Sequence, residues 1–288
     1  MTPMRMWTFE SRDAPFVEVF RRSATRAGYD VRIISPAKEP TGFAQLKKHY
    51  RHLSVNPEPF ELACFRRWFE IAAVVKPEER FVQAESDLII QTPFSDVTPE
   101  LRDATAVVGS IGCNDDVMER SINCGFSIWT GRQLKAFCEY AVARYESGIE
   151  QLACMHARNI AAGQMRASVS DMTLLYQWVQ ETGEPFVNSN RVINSQYVDH
   201  NISVGSCVGT RFCMAFGRKA LRFTRDGIWL ATREGVPIRP ISLHLGGRYK
   251  IMAGDVERHA QLRLALKSLY VHGGRTVRGL LMRMRLSR

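Results

Sequence analysis

The first 34 residues constrain the fold most, because they alternate between strand and helix patterns. Residues 4–9 predict a strand. A helix should follow, with Asp13 as its cap and Pro15 in its first turn, and Gly28 should close it. Residues 29–34 predict the next strand. A strand, a helix and a strand within about 30 residues form a βα unit, which implies a parallel sheet flanked by helices.

The same patterns continue along the chain and predict an α/β fold with a mixed, mostly parallel sheet flanked by helices. Residues 40–60 combine a basic patch with a proline-containing loop, and residues 188–201 form a polar loop. A hairpin is predicted around residues 225–227. Further strands are predicted at 81–90, 106–111, 122–129 and 240–243, and further helices at 60–75, 133–145, 170–179 and 255–270. No linker divides residues 1–254, so we expect one domain there, followed by a C-terminal helix and a basic amphipathic tail at 255–288.

Charge is concentrated at the C-terminus. The formal net charge is +10, and residues 258–288 contain eight basic residues and no acid, which leaves the rest of the chain at +2. Such a tail suggests an anionic surface, either lipid head groups or nucleic acid. Residues 275–288 interleave arginines with apolar residues, which suits an anionic bilayer, and a docked or frayed terminal helix is the alternative.

The cysteines and the apolar runs indicate the cellular compartment in which the protein is expected. Seven cysteines form no Cys-x-x-Cys pair, which fits a reducing environment. The N-terminus passes directly into a predicted strand, so no signal peptide is expected, and no run of about 18 apolar residues predicts a membrane span. We therefore expect a cytoplasmic protein, and the basic tail would allow it to bind peripherally to the inner face of a membrane.

An acidic pair stands at the centre of the chain. Glu85 and Asp87 lie two residues apart after an apolar run at Phe81 and Val82, and a second apolar run begins at Leu88. In an extended chain, residues i and i+2 point the same way, so the two carboxylates should converge. Oxygen ligands of this kind suit Mg²⁺ or Mn²⁺ bridging a diphosphate. A strand end followed by a polar turn explains the same residues without function.

Other polar residues could meet this pair. His244 ends a predicted strand and could be a third metal ligand, although a structural role also fits. The glycine-rich segment after it, which includes Gly247, and Lys250 could hold phosphate oxygens. Arg66 or Arg67 could project from its helix toward the ligand edge of the sheet, and a solvated pair is the alternative.

Two further segments complete the candidates. Asn123 and Gly125 interrupt an apolar strand, where backbone could approach a ligand. Asp171, with Ser170, opens a predicted helix and could simply cap it.

Three separated pieces now agree: the acid-Ser-Asp motif at 85–87, Asn-x-Gly at 123–125 and His-x-x-Gly-x-x-Lys at 244–250. Over roughly residues 4–252, the chain resembles nucleotide-sugar-dependent glycosyltransferases of the GT-A fold. It is similar to the glycogenin-like and bacterial lipopolysaccharide galactosyltransferase group, and to related uncharacterised bacterial proteins.

The resemblance implies a role for each matching residue. Glu85, Asp87 and His244 would be metal ligands, and Asp87 and Asp171 would be catalytic. Asp199 and His200 would shape the pocket. Donor binding would involve Arg67, Glu85, Ser86, Asn123, Gly125, Gly247 and Lys250. Two departures stand out: Glu85 replaces the first Asp of the family's Asp-x-Asp, and Ile251 replaces the Pro that usually follows the Lys.

The expected activity is therefore Mn²⁺- or Mg²⁺-dependent transfer of a hexose. The donor would be a nucleotide-diphosphate sugar, and the acceptor a hydroxyl of a glycan or lipid-linked glycan in cell-surface polysaccharide synthesis. Because Glu85 departs from the motif, a non-catalytic nucleotide- or carbohydrate-binding protein on the same fold is the alternative. A nucleic-acid partner is not expected, because the positive charge lies in an apolar-rich tail.

Overall fold

A computed structural model describes residues 2–36, 38–111, 121–163, 168–259 and 267. The strands are β1 (Arg5–Phe9), β2 (Asp30–Ile34), β3 (Arg80–Ala84), β4 (Leu88–Ile90), β5 (Val107–Ile111), β6 (Ile122–Thr130), β7 (Phe186–Asn188), β8 (Gln196–Val198), β9 (Ser206–Cys207), β10 (Thr210–Arg211), β11 (Met214–Ala215), β12 (Arg218–Lys219), β13 (Arg222–Thr224), β14 (Gly227–Ala231) and β15 (Pro237–His244). The helices are α1 (Pro15–Arg26), α2 (Thr41–His49), α3 (Glu58–Val74), α4 (Pro99–Arg102), α5 (Gly131–Ser147), α6 (Ile149–Ala161), α7 (Asp171–Thr182) and α8 (Ala253–Glu257), with 3-10 turns at Phe94–Asp96 and Gly247–Met252.

The chain divides into two compact units that interleave in sequence. The six-stranded unit comprises Met1–Arg12, Asp30–Glu85 and Pro99–Asn190. The five-stranded unit comprises Asp13–Tyr29, Ser86–Thr98 and Arg191–Arg288. The predicted domain boundary at residue 254 stays a prediction, because most of the segment 255–288, including the tail 275–288, lies outside the described residues.

The six-stranded unit is built on a sheet of order β2-β1-β3-β6-β5-β7. β1 pairs in parallel with β2 and β3, and β5 pairs in parallel with β7. β6 runs antiparallel to both of its neighbours, so five strands share one direction and β6 opposes them. The predicted α/β class with a mostly parallel sheet is confirmed. The carboxyl ends of the five strands share one edge with the beginning of β6, and ligands bind at such an edge in open α/β sheets.

An aromatic cluster holds α3 against this unit's core. Trp68 on α3 lies 5.4 Å from Trp129 of β6 and 5.7 Å from Phe137 of α5, measured between ring centroids. Trp129 stacks on Trp178 of α7 at 6.1 Å. Rings of this size bury large apolar surfaces, so the cluster fixes where the neighbouring residues of α3 can point.

The five-stranded unit has a sheet of order β13-β14-β15-β4, and β8 adds to β15 in parallel. β13 and β14 form the hairpin that was predicted around residues 225–227. β15 pairs antiparallel with β4, so that His244 stands opposite Leu88. The strand predicted at 240–243 is confirmed and is longer. Ile89, Leu230 and Leu243 are buried in this unit's apolar core.

Helix ends follow the predictions only in part. α7 begins with a capping box in which the Ser170 hydroxyl accepts from the backbone of Thr173, so the predicted cap is confirmed. The predicted cap at Asp13 is wrong: Ala14 occupies the cap position of α1 without a side-chain bond, and Pro15 begins the helix. The fixed φ of proline suffices to start this helix.

Three other local predictions need correction. Residues 40–60 contain α2, and α6 was not predicted. Glu85 to Asp87 are not an extended strand, because β3 ends at Ala84 and residues 86–87 form a turn. The helix predicted over 255–270 does not continue as one piece, because α8 ends at Glu257 and His259 adopts a left-handed φ of 55°. Within the described ranges, no helix is both long enough and apolar enough to cross a membrane.

Candidate functional site

Three of the predicted residues meet at the ligand edge of the six-stranded unit. Glu85 directly follows β3, and its backbone N–H donates to the carbonyl of Gly125 at 2.8 Å. The backbone N–H of Gly125 in turn donates to Oδ1 of Asn123 at 2.8 Å. Because β6 runs opposite to β3, the beginning of β6 lies beside the end of β3. The structure thus brings together Glu85, Asn123 and Gly125, three of the residues proposed for donor binding.

Arg67 joins two carboxylates of the same unit. One terminal nitrogen of its guanidinium bonds to Oε1 of Glu85, and the other donates to Oδ2 of Asp171 at 2.6 Å. The indole N–H of Trp68 donates to the same Oδ2 at 2.8 Å. Two consecutive residues of α3 therefore hold the first residue of α7. We call Arg67, Glu85 and Asp171 the arginine cluster.

Burial makes the electrostatics of the arginine cluster strong. The side chains of Arg67 and Asp171 are only 11% and 2% exposed. Burial alone would lower the pKa of Arg67, but the charges of Asp171 and Glu85 outweigh it and hold that pKa well above its usual value. The Nε of Arg67 is buried without a hydrogen-bond partner among the described residues.

Two cysteines lie near these charges and are poor candidates for chemistry. Burial raises the pKa of the Cys64 thiol, and the charge of Asp171 adds to the effect. Burial likewise raises the pKa of Cys124 well above its usual value. A thiol must ionise to act as a nucleophile, so neither residue is poised for nucleophilic catalysis.

The geometry of Arg67 bears on its predicted role as a diphosphate contact. Both of its terminal nitrogens already bond to carboxylates, so a donor phosphate would have to compete with Glu85 and Asp171 for them. The sequence offered Asp171 as a possible cap, but Ser170 fills that position. The Arg67–Asp171 pair spans 104 positions, and no local pattern signals it.

The five-stranded unit brings together three other predicted residues. Asp87 lies in the turn before β4, and His244 ends β15, which pairs with β4. Nε2 of His244 lies 3.3 Å from Oδ1 of Asp87, and Nζ of Lys250 lies 3.1 Å from Oδ2. Asp87 is buried, whereas Lys250 is 24% exposed. We call these three residues the aspartate cluster.

The hydrogen bonds of His244 identify its tautomer. Its Nδ1 lies 2.6 Å from the carbonyl oxygen of His200. A carbonyl can only accept, so Nδ1 carries a proton. The lone pair of Nε2 then faces a carboxylate oxygen of Asp87, which is favourable only when a proton or a cation lies between them. A carboxylate with a neutral imidazole in this tautomer is a donor set that Mn²⁺ accepts.

Glycines keep the space beside Nε2 open. A Cβ atom placed on Gly246 would lie 3.4 Å from Nε2 of His244 and 3.7 Å from Nδ2 of Asn201. The backbone of Gly246 has a φ of −55°, so no strain requires a glycine there. Gly247, which was predicted to help bind the donor, has a left-handed φ of 60° and does favour glycine. The residues present therefore fit a divalent cation beside Nε2.

A buried network lies behind His244, and it joins Asp199, which was expected to shape the pocket, to Lys219, which was not predicted. Oδ1 of Asp199 accepts from Nζ of Lys219 at 2.7 Å, and Oδ2 accepts from the backbone N–H of His244 at 3.0 Å. Asp199 and Lys219 are fully buried. His200 contacts Tyr197 through Nδ1 at 3.0 Å, and burial together with the charge of Lys219 lowers the pKa of His200 to about 4.

Comparisons with known proteins add little. No protein-family model matches the sequence, and no curated protein does either. One solved structure that it resembles is titled "Crystal structure of a glycosyltransferase involved in the glycosylation of the major capsid of PBCV-1". That likeness has a TM-score of 0.29 and 8% identity, and it covers 50% of this chain and 68% of that chain. At such a score the likeness carries no argument, so functional inference rests on the residues described above.

Proposed function

We propose that this protein is a metal-dependent glycosyltransferase that moves a hexose from a nucleotide-diphosphate sugar to a hydroxyl of a glycan or lipid-linked acceptor. The observation that carries the proposal is the aspartate cluster. A buried carboxylate faces both an imidazole lone pair and an ammonium group, and a glycine leaves room beside them. Such a combination suits a diphosphate leaving group, because a bound cation and an ammonium group can neutralise the charge that develops on it.

Asp87 and His244 would hold Mn²⁺ or Mg²⁺ beside the open space at Gly246. Glu85 stands two residues before Asp87 in the chain, and we propose it as the third ligand. When bound, the metal would polarise the diphosphate oxygens and stabilise the departing nucleotide. The protein's own part is to place the carboxylates and to hold His244 in the tautomer whose Nε2 can coordinate.

Lys250 and Gly247 would hold the diphosphate. The ammonium group of Lys250 is partly exposed and bonds to Asp87, so it can turn toward a phosphate once a metal neutralises that carboxylate. The left-handed backbone at Gly247 suits a turn whose N–H groups face an anion. Ser86 lies in the same turn as Asp87 and is proposed to contact the donor as well.

The edge of the six-stranded unit would hold the sugar. Asn123 and Gly125 are proposed to line the donor hexose, because they mark the beginning of β6 at the ligand edge. Asp171 is proposed as the polar residue nearest the reacting sugars. Arg67 holds the carboxylates of Asp171 and Glu85 in place, and this is the role that its bonds support best.

A donor-hydrolysis assay with and without Mn²⁺ tests the proposal. A panel of nucleotide-diphosphate sugars should show metal-dependent release of nucleoside diphosphate, and Asp87→Ala should abolish it. Asp96→Ala is a matched control, because Asp96 is an aspartate of the same unit that lies in the 3-10 turn Phe94–Asp96. Near-wild-type hydrolysis by folded Asp87→Ala would overturn the metal assignment.

A non-catalytic binding protein is the second candidate, and the contacts of Glu85 favour it. This residue departs from the family's aspartate, and its Oε1 is bonded to Arg67. Because Glu85 is already bonded to Arg67, it could coordinate the metal only weakly. The protein would then bind a nucleotide or a carbohydrate without catalysing transfer. Calorimetry with a nucleoside diphosphate and Mn²⁺, run beside the hydrolysis assay, separates the two. Binding without hydrolysis of any donor or transfer to any acceptor would favour the second candidate.

A further inference from the structure

The turn at residues 199–202 holds His244 at three points. The carboxylate of Asp199 accepts from the backbone N–H of His244 at 3.0 Å. The backbone N–H of Ile202 donates to the carbonyl of His244 at 3.0 Å. The carbonyl of His200 accepts from the ring at 2.6 Å. Because both the backbone and the ring of His244 are held, the direction of Nε2 depends on the shape of this turn.

Lys219 holds the 199–202 turn in place. Its Nζ donates to Oδ1 of Asp199 and to the carbonyl of Asn201, each at 2.7 Å. Its backbone N–H donates to the carbonyl of Ile202 at 2.8 Å. Lys219 therefore contacts three of the four residues of the turn, and none of these contacts reaches the metal-binding atoms of the aspartate cluster.

The surroundings of Lys219 exclude water, so its ammonium group depends on Asp199 to balance its charge. The side chain is 0% exposed, and Nζ lies 5.5 Å from the ring centroid of Tyr197 and 5.1 Å from that of Phe212. A buried lysine is rare unless it is paired, because an unpaired ammonium group is unstable away from water. An apolar residue of similar length would fill the same space, so packing alone does not require a charge here.

We infer that Lys219 is a positioning residue for His244: its buried ion pair with Asp199 fixes the 199–202 turn so that the imidazole presents Nε2 to the cation. This inference rests on the proposed function for its purpose, although the arrangement it describes exists without the metal. Groups behind a metal-binding histidine commonly fix its tautomer and ring orientation in this way.

Two variants test the inference. Lys219→Met leaves the Asp199 carboxylate buried and unpaired, so the turn should lose its shape. The double variant Lys219→Met/Asp199→Asn removes both charges but keeps an amide oxygen that can accept from the N–H of His244. Leu230→Ala is a matched control for stability, because Leu230 is a buried core residue of the same unit.

The first readout is the tautomer of His244 in the metal-free protein, measured by long-range ¹H–¹⁵N correlation NMR and assigned with His244→Gln. The wild type should show a proton on Nδ1. Lys219→Met and the double variant both lack the ion pair and should show a mixture of tautomers, whereas Leu230→Ala should show the wild-type form. The second readout is Mn²⁺ affinity by calorimetry, which Lys219→Met should weaken roughly 10- to 100-fold.

The outcomes separate this inference from the proposed function. A folded Lys219→Met protein with the wild-type tautomer would overturn the positioning role, whatever the activity. If Lys219→Met does not fold, the double variant decides: the wild-type tautomer in a folded double variant overturns the positioning role, and mixed tautomers support it. A wild type that neither binds Mn²⁺ nor hydrolyses a donor would contradict the proposed function, while the tautomer change would still support the positioning role.

Discussion

Glu85 and Asp87 stand two residues apart in the chain, yet their partners differ in kind. Glu85 shares one guanidinium with Asp171, in a group that carries two negative charges and one positive. Asp87 meets an ammonium group and an imidazole whose Nε2 lone pair faces it. The arginine cluster is held inside the six-stranded unit, whereas Lys250 of the aspartate cluster reaches solvent.

The difference indicates that the arginine cluster and the aspartate cluster have different roles. A buried guanidinium bonded to two carboxylates is hard to remove or to turn, so the arginine cluster should act mainly on folding and on the placement of Asp171. A partly exposed lysine and a histidine with an open space beside it can exchange partners. The aspartate cluster should therefore act mainly on ligand binding, and substitutions in the two clusters should differ in what they change.

Arg67→Met should produce the largest loss of stability. It leaves the carboxylates of Glu85 and Asp171 without their shared cation, and breaking a buried ion pair in this way costs about 3–5 kcal/mol. The free energy of unfolding from urea titration measures the effect. Arg66→Met is the matched control, because it leaves only Glu70 without its partner and should lose less than half as much. Equal losses of unfolding free energy in Arg67→Met and Arg66→Met would contradict the special structural role of the arginine cluster.

Trp68→Phe should have the next largest effect. The indole N–H donates to Asp171, and a hydrogen bond to a charged group contributes about 1.5–3 kcal/mol. Phenylalanine keeps most of the contacts with the aromatic cluster, so the loss should lie in this range. Urea titration of Trp68→Phe combined with Asp171→Asn checks the origin. Strict additivity of the two substitutions would show that the bond contributes little.

Gly246→Ala should change binding without changing the fold. The added methyl group would lie beside Nε2 of His244 at a normal contact distance, and the backbone φ of −55° accepts alanine. We expect Mn²⁺ affinity to fall about tenfold, equivalent to about 1.4 kcal/mol. Gly254→Ala is the control, because its methyl group would meet the side chain of Arg258 instead. Unchanged Mn²⁺ affinity in Gly246→Ala would place the cation elsewhere.

Lys250→Met should have the smallest effect on stability. The ion pair with Asp87 is partly exposed, and such pairs contribute about 1 kcal/mol or less. Binding of a nucleoside diphosphate with Mn²⁺ should nevertheless weaken measurably, because Lys250 is proposed to meet the phosphates. Thermal unfolding and calorimetry on the same sample compare the two effects. A large drop in stability with unchanged binding of the nucleoside diphosphate would mean that Lys250 stabilises the fold and does not bind the phosphates.

Much of the fold could be predicted from apolar periodicity. The strands at 5–9, 30–34 and 80–84 and the helix α3 follow from continuous apolar runs or helical spacing. α2 was missed because its buried face has only two apolar residues, Phe43 and Leu46, among basic ones. The interruption at His259 could not be predicted, since the apolar spacing continues beyond it.

The candidate site was predictable only where short motifs carry it. The His-x-x-Gly-x-x-Lys spacing predicted that His244 and Lys250 serve one site, and both contact Asp87. The partnerships of Arg67 with Asp171 and of Lys219 with Asp199 depend on how distant segments pack, so no local pattern announces them. Lys219 lies in the two-residue strand β12, where nothing in the sequence indicates that a lysine is buried.

Backbone hydrogen bonds hold both ends of the short connection from β3 to β4. On one side the N–H of Glu85 is bonded to Gly125, and on the other the carbonyl of Asp87 accepts from the N–H of Leu245. Ser86 is the single residue between these anchors. Both contacts are made by backbone atoms, so replacing the side chain of Glu85 or of Asp87 should leave them in place, and such variants should report on the carboxylates alone.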